Sequence, residues 1–151
     1  MIVEAYLLRC QADGLAYRRA SGDLNCSENP DQAAARIGGI EGFASAGLVM
    51  HSTSWRHLSD GSLVLTYVVA PDPEPNRVAV AIASYELAHG QDAIRPCPDS
   101  VREAEVVAHA ACHLALVAET NAHVREALAI HPELNAALAQ LPFVPAGQFA
   151  G

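Results

Sequence analysis

Apolar positions along the chain follow three rhythms, and each predicts a different element. The first is a dense run, "IVEAYLLR" at 2–9, with apolar residues on both strand faces around a single charge, Glu4. It reads as a strand. The second is an alternation within "HSTSWRHLSDGSLVLTYVV" at 51–69, broken by Asp60-Gly61. Asp-Gly between alternating runs is a strong hairpin signal. The third is a recurrence every three to four residues from Ser100 onward, the period of amphipathic helices.

Between these runs the punctuation is clear in places. "CQADGLAYRRASGDLNCSEN" is rich in Gly, Ser, Asp and Asn and reads as a long loop. A short helix follows: Asn29 can cap it, Pro30 suits its first position, and Gly38-Gly39 ends it. "EGFASAGLVM" then leads by small residues into the hairpin, and "APDPEPNR" is a proline-rich connection after it. "VAVAIASYEL" at 78–87 reads as a further strand, and "AHGQDAIRPCPDS" as loop. In the last third, Ser100 with Glu103 has the spacing of a capping box. Thr120-Asn121 offers a break and a new cap, and Pro132 opens a third helix. The predicted architecture is α+β: an antiparallel sheet of about four strands with the C-terminal helices packed on one face, a two-layer sandwich.

Two closures of the hairpin compete. A two-residue Asp60-Gly61 turn pairs Leu58 with Leu63 and Trp55 with Thr66. A three-residue Ser59-Asp60-Gly61 loop, with Gly61 left-handed, pairs His57 with Leu63, Trp55 with Leu65 and Thr53 with Tyr67. The second is preferred, because it gives one coherent apolar face. His51, Thr53, Trp55 and His57 would then join Leu63, Leu65, Tyr67 and Val69 beneath the helices. Ser52, Ser54 and Arg56 would share the opposite face with Val64, Thr66 and Val68.

Length and composition narrow this picture. A chain of 151 residues with 51% hydrophobic and 17% charged residues fits one globular domain, 1–151. The uncharged run Val106–Ala118 is too short to cross a bilayer, and the N-terminus lacks the basic start and cleavage pattern of a secretory signal. No membrane association and a cytoplasmic location are therefore expected. All nine basic residues are arginine, and the net charge is −8, which argues against nucleic acid as a partner. The four cysteines, at 10, 26, 97 and 112, form no CxxC pair and are expected to be reduced.

Candidate chemistry falls into three sets. Arg56, flanked by Ser52, Ser54 and Thr66, offers a guanidinium fork and hydroxyls, a ligand-binding set for a small anion. The valines on that face suggest a homodimer burying part of the sheet. His51 and His57 are candidate general bases of a small hydrolase-like enzyme. Glu105, His109 and His113 recur every four residues on one helix and form a candidate zinc set, with Cys97 or Glu119 as further ligands; no other cofactor is indicated. The competing reading of that helix face is a solvated one, opposite a stripe that includes Val106, Ala110, Leu114 and Val117. No phosphate loop, GxSxG elbow or dinucleotide fingerprint is present. A small-ligand-binding or interaction protein is the leading expectation, with the hydrolase and the metal protein as alternatives.

Overall fold

The structure, a computed structural model, describes residues 1–40 and 47–142. Its elements are β1 (Ile2–Gln11), β2 (Gly14–Asp23), α1 (Pro30–Gly38), β3 (Val49–His57), β4 (Leu63–Ala70), β5 (Val80–Ala81), α2 (Glu103–Thr120), α3 (Ala122–Ala129) and α4 (Pro132–Ala139). The five strands form one mostly antiparallel sheet in the order β3-β4-β1-β2-β5, with β1 and β4 running parallel at its centre. The α+β class and the packing of the C-terminal helices on one face agree with the sequence. Helix α1 adds a layer on the opposite face, where Ala33 and Ala34 pack against Val3, Ala5, Leu7 and Tyr67.

Helix ends follow their local chemistry. Asn29 accepts from the Gln32 backbone, Gln32 reaches back to the Asn29 backbone, and Gly39 closes α1 in the left-handed region at φ 72°. Asn121 caps α3, and Pro132 occupies the first turn of α4. The start of α2 differs from the expected Ser100–Glu103 box. Glu103 instead accepts a hydrogen bond from the Tyr17 hydroxyl at 2.9 Å and faces Arg19, so Glu105 makes the reach-back to the Arg102 backbone. A tertiary contact outbids the local cap.

Two strands also depart from expectation. The polar stretch taken as a loop contains β2, which pairs with β1 over its full length from Gln11–Gly14 to Ile2–Asp23. Arg18 and Arg19 are tolerated there because carboxylates on either side of the sheet receive them, Asp72 for Arg18 and Glu4 for Arg19. Conversely, the strand expected at 78–87 shrinks to Val80 and Ala81, paired with Tyr17 and Ala16. Alanine gives a strand little side chain to pack, and Ile82 and Tyr85 fold onto the main core instead. Part of the lead-in at 41–50, residues 41–46, lies outside the described residues.

The hairpin closes as the three-residue loop: Gly61 has φ +83°, Leu58 donates to Ser62, and His57 and Trp55 pair with Leu63 and Leu65. Further along, a bulge at Thr53 breaks the expected register. Ser54 pairs with Thr66 and Ser52 with Tyr67, leaving Thr53 as the extra residue. The helices also cover the other face from the one expected. Val64, Thr66 and Val68 are buried, with Val68 in the core beneath α2–α4, while Trp55 remains 55% exposed. The face that suggested a homodimer is thus covered by the chain's own helices, and that argument for a second subunit lapses.

What selects this face is Glu4. Its carboxylate is fully buried and receives Thr66 Oγ1 at 2.7 Å, Arg19 Nη2 at 3.0 Å and Arg56 Nη2 at 3.1 Å, with Arg56 Nη1 on its other oxygen. Burial alone would raise its pKa. Hydrogen bonds from Arg56, Thr66 and Arg19, with the Arg56 charge, outweigh that and hold it below the ordinary carboxylate value. Replacing Glu4 by Gln strands two arginines and should cost roughly 3 kcal/mol of unfolding free energy, measured by urea titration at pH 7. Because the folded pKa is depressed, the wild type should lose this stabilisation as pH falls below the ordinary value of 4.5. Glu4→Gln should lack that part of the acid dependence, and parallel acid profiles for the two proteins would contradict the assignment.

Candidate functional site

Beside this cluster the chain leaves an open groove of about 1150 Å³. Its sheet side is the outer part of β3 from Thr53 to His57, one wall is the segment from Leu87 to Val101, and the other is the start of α2 at Glu105, Val106 and His109. The groove exists because β3 is an edge strand and because the 82–102 connection crosses toward it without adding a strand. The bulge at Thr53 adjusts the aim. Its hydroxyl bonds the Thr66 carbonyl at 3.3 Å, and the following Ser54 and Arg56 fall on the same face as Thr66 and Val64.

The anion set is placed as follows. Ser54 and Arg56 line the groove. Thr66 is buried under them and hydrogen-bonded to Glu4 and Arg56, at 2.7 and 3.1 Å. Ser52 sits before the bulge, paired with Tyr67 and therefore on the opposite face. Arg56 is not the free cation expected of a solvated strand face, since both its terminal nitrogens serve Glu4.

The histidines are rearranged more thoroughly. The bulge moves His51 to the helix-covered face, opposite Val68. There its ring stands 5.2 Å from that of His113, which is 6.0 Å from His109. The strand histidine and the helix histidines therefore form one stack of tilted rings, with interplanar angles of 44° and 43°. His57 stays on the outer face beside Trp55, ring centres 6.5 Å apart. As for general-base candidates, His51 Nδ1 bonds the Ser52 carbonyl at 2.8 Å, and among the described residues neither His51 nor His57 is hydrogen-bonded to a carboxylate. A catalytic imidazole is ordinarily oriented by such a third group.

The helix face expected to be solvated is half-buried instead. Burial lowers the His109 pKa, and burial with the neighbouring His51 and His109 lowers that of His113. His113 Nε2 is buried with no hydrogen-bond partner. Glu105 does not join the pair, because it bonds the Arg102 backbone and side chain, both at 2.8 Å. Among the described residues no group of three or more His, Cys, Asp and Glu is placed to hold a metal ion. Cys112 is fully buried and its thiol pushed up to about 11, so it is a packing residue rather than a nucleophile. No helix among the described residues is long and apolar enough to cross a membrane.

Sequence reasoning missed the wall at 87–101, whose Pro, Gly and Asp content marks a loop but not where it runs. It also missed the partners of Arg56. The signal that could have found them was Glu4 itself, a lone charge in an apolar strand, which demands a buried cation. No protein-family model matches the chain, and no curated protein or solved structure matches it either.

The imidazole stack has a measurable signature. A histidine whose folded pKa is depressed takes up its proton more readily in the unfolded chain, so stability should fall as pH drops below the ordinary 6.5. Thermal melts from pH 7.5 to 5 should show this loss, and His113→Phe should flatten it. An unaltered slope in the variant would place the pH dependence elsewhere.

Proposed function

We propose that the protein binds a small molecule in the groove between β3, the 87–101 segment and α2. The observation that carries this reading is the groove itself. Its volume of about 1150 Å³ is somewhat above the usual ligand-site range of roughly 300–1,000 Å³, as expected of a groove open along one side. Its lining is of the kind that ligand sites use: Trp55, Val101, Val106 and prolines for the apolar body, with Ser54, Arg56 and His109 as polar groups. The polar groups sit on regular elements, β3 and α2, and Arg56 is fixed by its bonds to Glu4 and Thr66. Such a fixed guanidinium loses little freedom when a ligand arrives.

The general-base reading gains less from the geometry, because His51 packs against His113 and His57, though it borders the groove, has no hydrogen-bonded carboxylate among the described residues. Trp55 is the only tryptophan in the chain and borders the groove, so its emission reports on occupancy directly. A fragment screen read by Trp55 fluorescence should yield compounds that shift the emission and saturate. Ser54→Phe places a ring in the groove and should weaken those compounds at least tenfold without altering the circular dichroism spectrum. Compounds that bind both proteins equally, or a screen in which none moves the emission, would end the proposal.

A further inference from the structure

We infer that the ligand of this groove is uncharged, with a flat apolar body and a head that both accepts and donates hydrogen bonds. The inference rests on the small-ligand reading and adds the chemical class. Four formally charged side chains line the groove, Arg56, Arg95, Asp99 and Glu105, two of each sign. Three of them already face an opposite charge within the chain, and the fourth, Asp99, accepts from a neutral amide. Arg56 is bonded to buried Glu4, Arg95 to Asp92 at 2.7 Å, Glu105 to Arg102 at 2.8 Å, and Asp99 accepts from Gln91 at 3.0 Å. Arg56, Arg95 and Glu105 therefore already face an opposite charge, and Asp99 is exposed to water, so a charged ligand would give up its own water for little new counter-charge.

An anion meets a second obstacle at Arg56. To take the guanidinium for itself it must draw it from Glu4, a fully buried carboxylate whose other cation is Arg19. What Arg56 can still give is hydrogen bonds. A guanidinium has five N–H groups, and bonds to Glu4 and to Thr66 Oγ1 occupy three of them. The remainder suit a carbonyl or hydroxyl oxygen. Across the groove His109 stands on α2, a half-buried imidazole that serves as acceptor for a ligand N–H or O–H. The lowered pKa of His109 agrees with an imidazole kept neutral. Trp55, Pro96 and Pro98 supply flat or rigid apolar surface for the body.

The test uses three probes of one shape: naphthalene-2-carboxamide, naphthalene-2-carboxylate and naphthalene-2-carboxamidine, neutral, anionic and cationic at pH 7.5. Each is titrated against the full chain by Trp55 fluorescence and by ligand-observed NMR. The carboxamide should bind at least tenfold tighter than either charged isostere, and Ser54→Phe should abolish the difference. A carboxylate that binds as well as the amide would overturn the inference in favour of an anion site at Arg56. An amidine that binds best would overturn it in favour of Asp99 and Glu105. In both cases the small-ligand reading survives, since a probe still occupies the groove. Binding of none of the three at millimolar concentration overturns the inference as well, and the reading falls with it only if the wider fragment screen is silent too.

Discussion

A carboxylate without water must be given partners, and in this protein that requirement organises the sheet. Glu4 lies in the central strand β1 with no exposed surface, and its partners come from both neighbours and beyond: Thr66 on β4, Arg19 on β2 and Arg56 on β3. Four strands therefore converge on one side chain. An unpaired charge at that depth would cost several kcal/mol, so a register that withheld any of these partners would be penalised at once. Hydrophobic periodicity alone favoured the Trp55 face of the β3–β4 hairpin as the inward one. The ion cluster makes the choice, and it is the face bearing Arg56 that goes under the helices.

The groove follows from the same choice. With Arg56 turned inward and held, β3 presents Ser54 and the guanidinium rim toward α2 and leaves Trp55 at the border. The bulge at Thr53 then separates two tasks along a single strand. On one side of it His51 packs into the imidazole stack; on the other, Ser54 and Arg56 serve the groove. A strand without the bulge could not direct both His51 and Arg56 to one face, because they are five residues apart and strand parity would oppose them. The second buried acid, Asp72, holds Arg18 on the opposite face and steadies the turn after β4 through the Glu74 backbone. Four of the nine arginines, Arg9, Arg18, Arg19 and Arg56, thus serve to compensate the chain's own buried acids.

Local chemistry was legible in the sequence where it acts locally. Asn29, Pro30 and Gly39 fix α1, Asn121 and Pro132 divide the last helices, and Asp60-Gly61 sets the hairpin closure. What was not legible depended on partners distant in the chain. The residues of β2 look like a loop until Glu4 and Asp72 are known to receive their arginines. The bulge is invisible because Ser52, Thr53 and Ser54 are interchangeable in polarity, so nothing in the pattern marks which one is extra. His109 and His113 were correctly grouped on one helix face. Their half-buried state could not be read from the helix, because it is β3 that covers them.

The topology carries a consequence for how the chain is made. The two central strands, β1 and β4, are parallel and lie in separate hairpins, with Glu4 bonding Thr66 across 62 residues of sequence and Arg56 across 52. The hairpin of β1 and β2 is complete early in synthesis, but it then holds a carboxylate with one arginine and an uncovered apolar strand edge. Neither is resolved until the second hairpin has left the ribosome. The N-terminal third is therefore a borrower of structure, and its order arrives together with that of the middle of the chain.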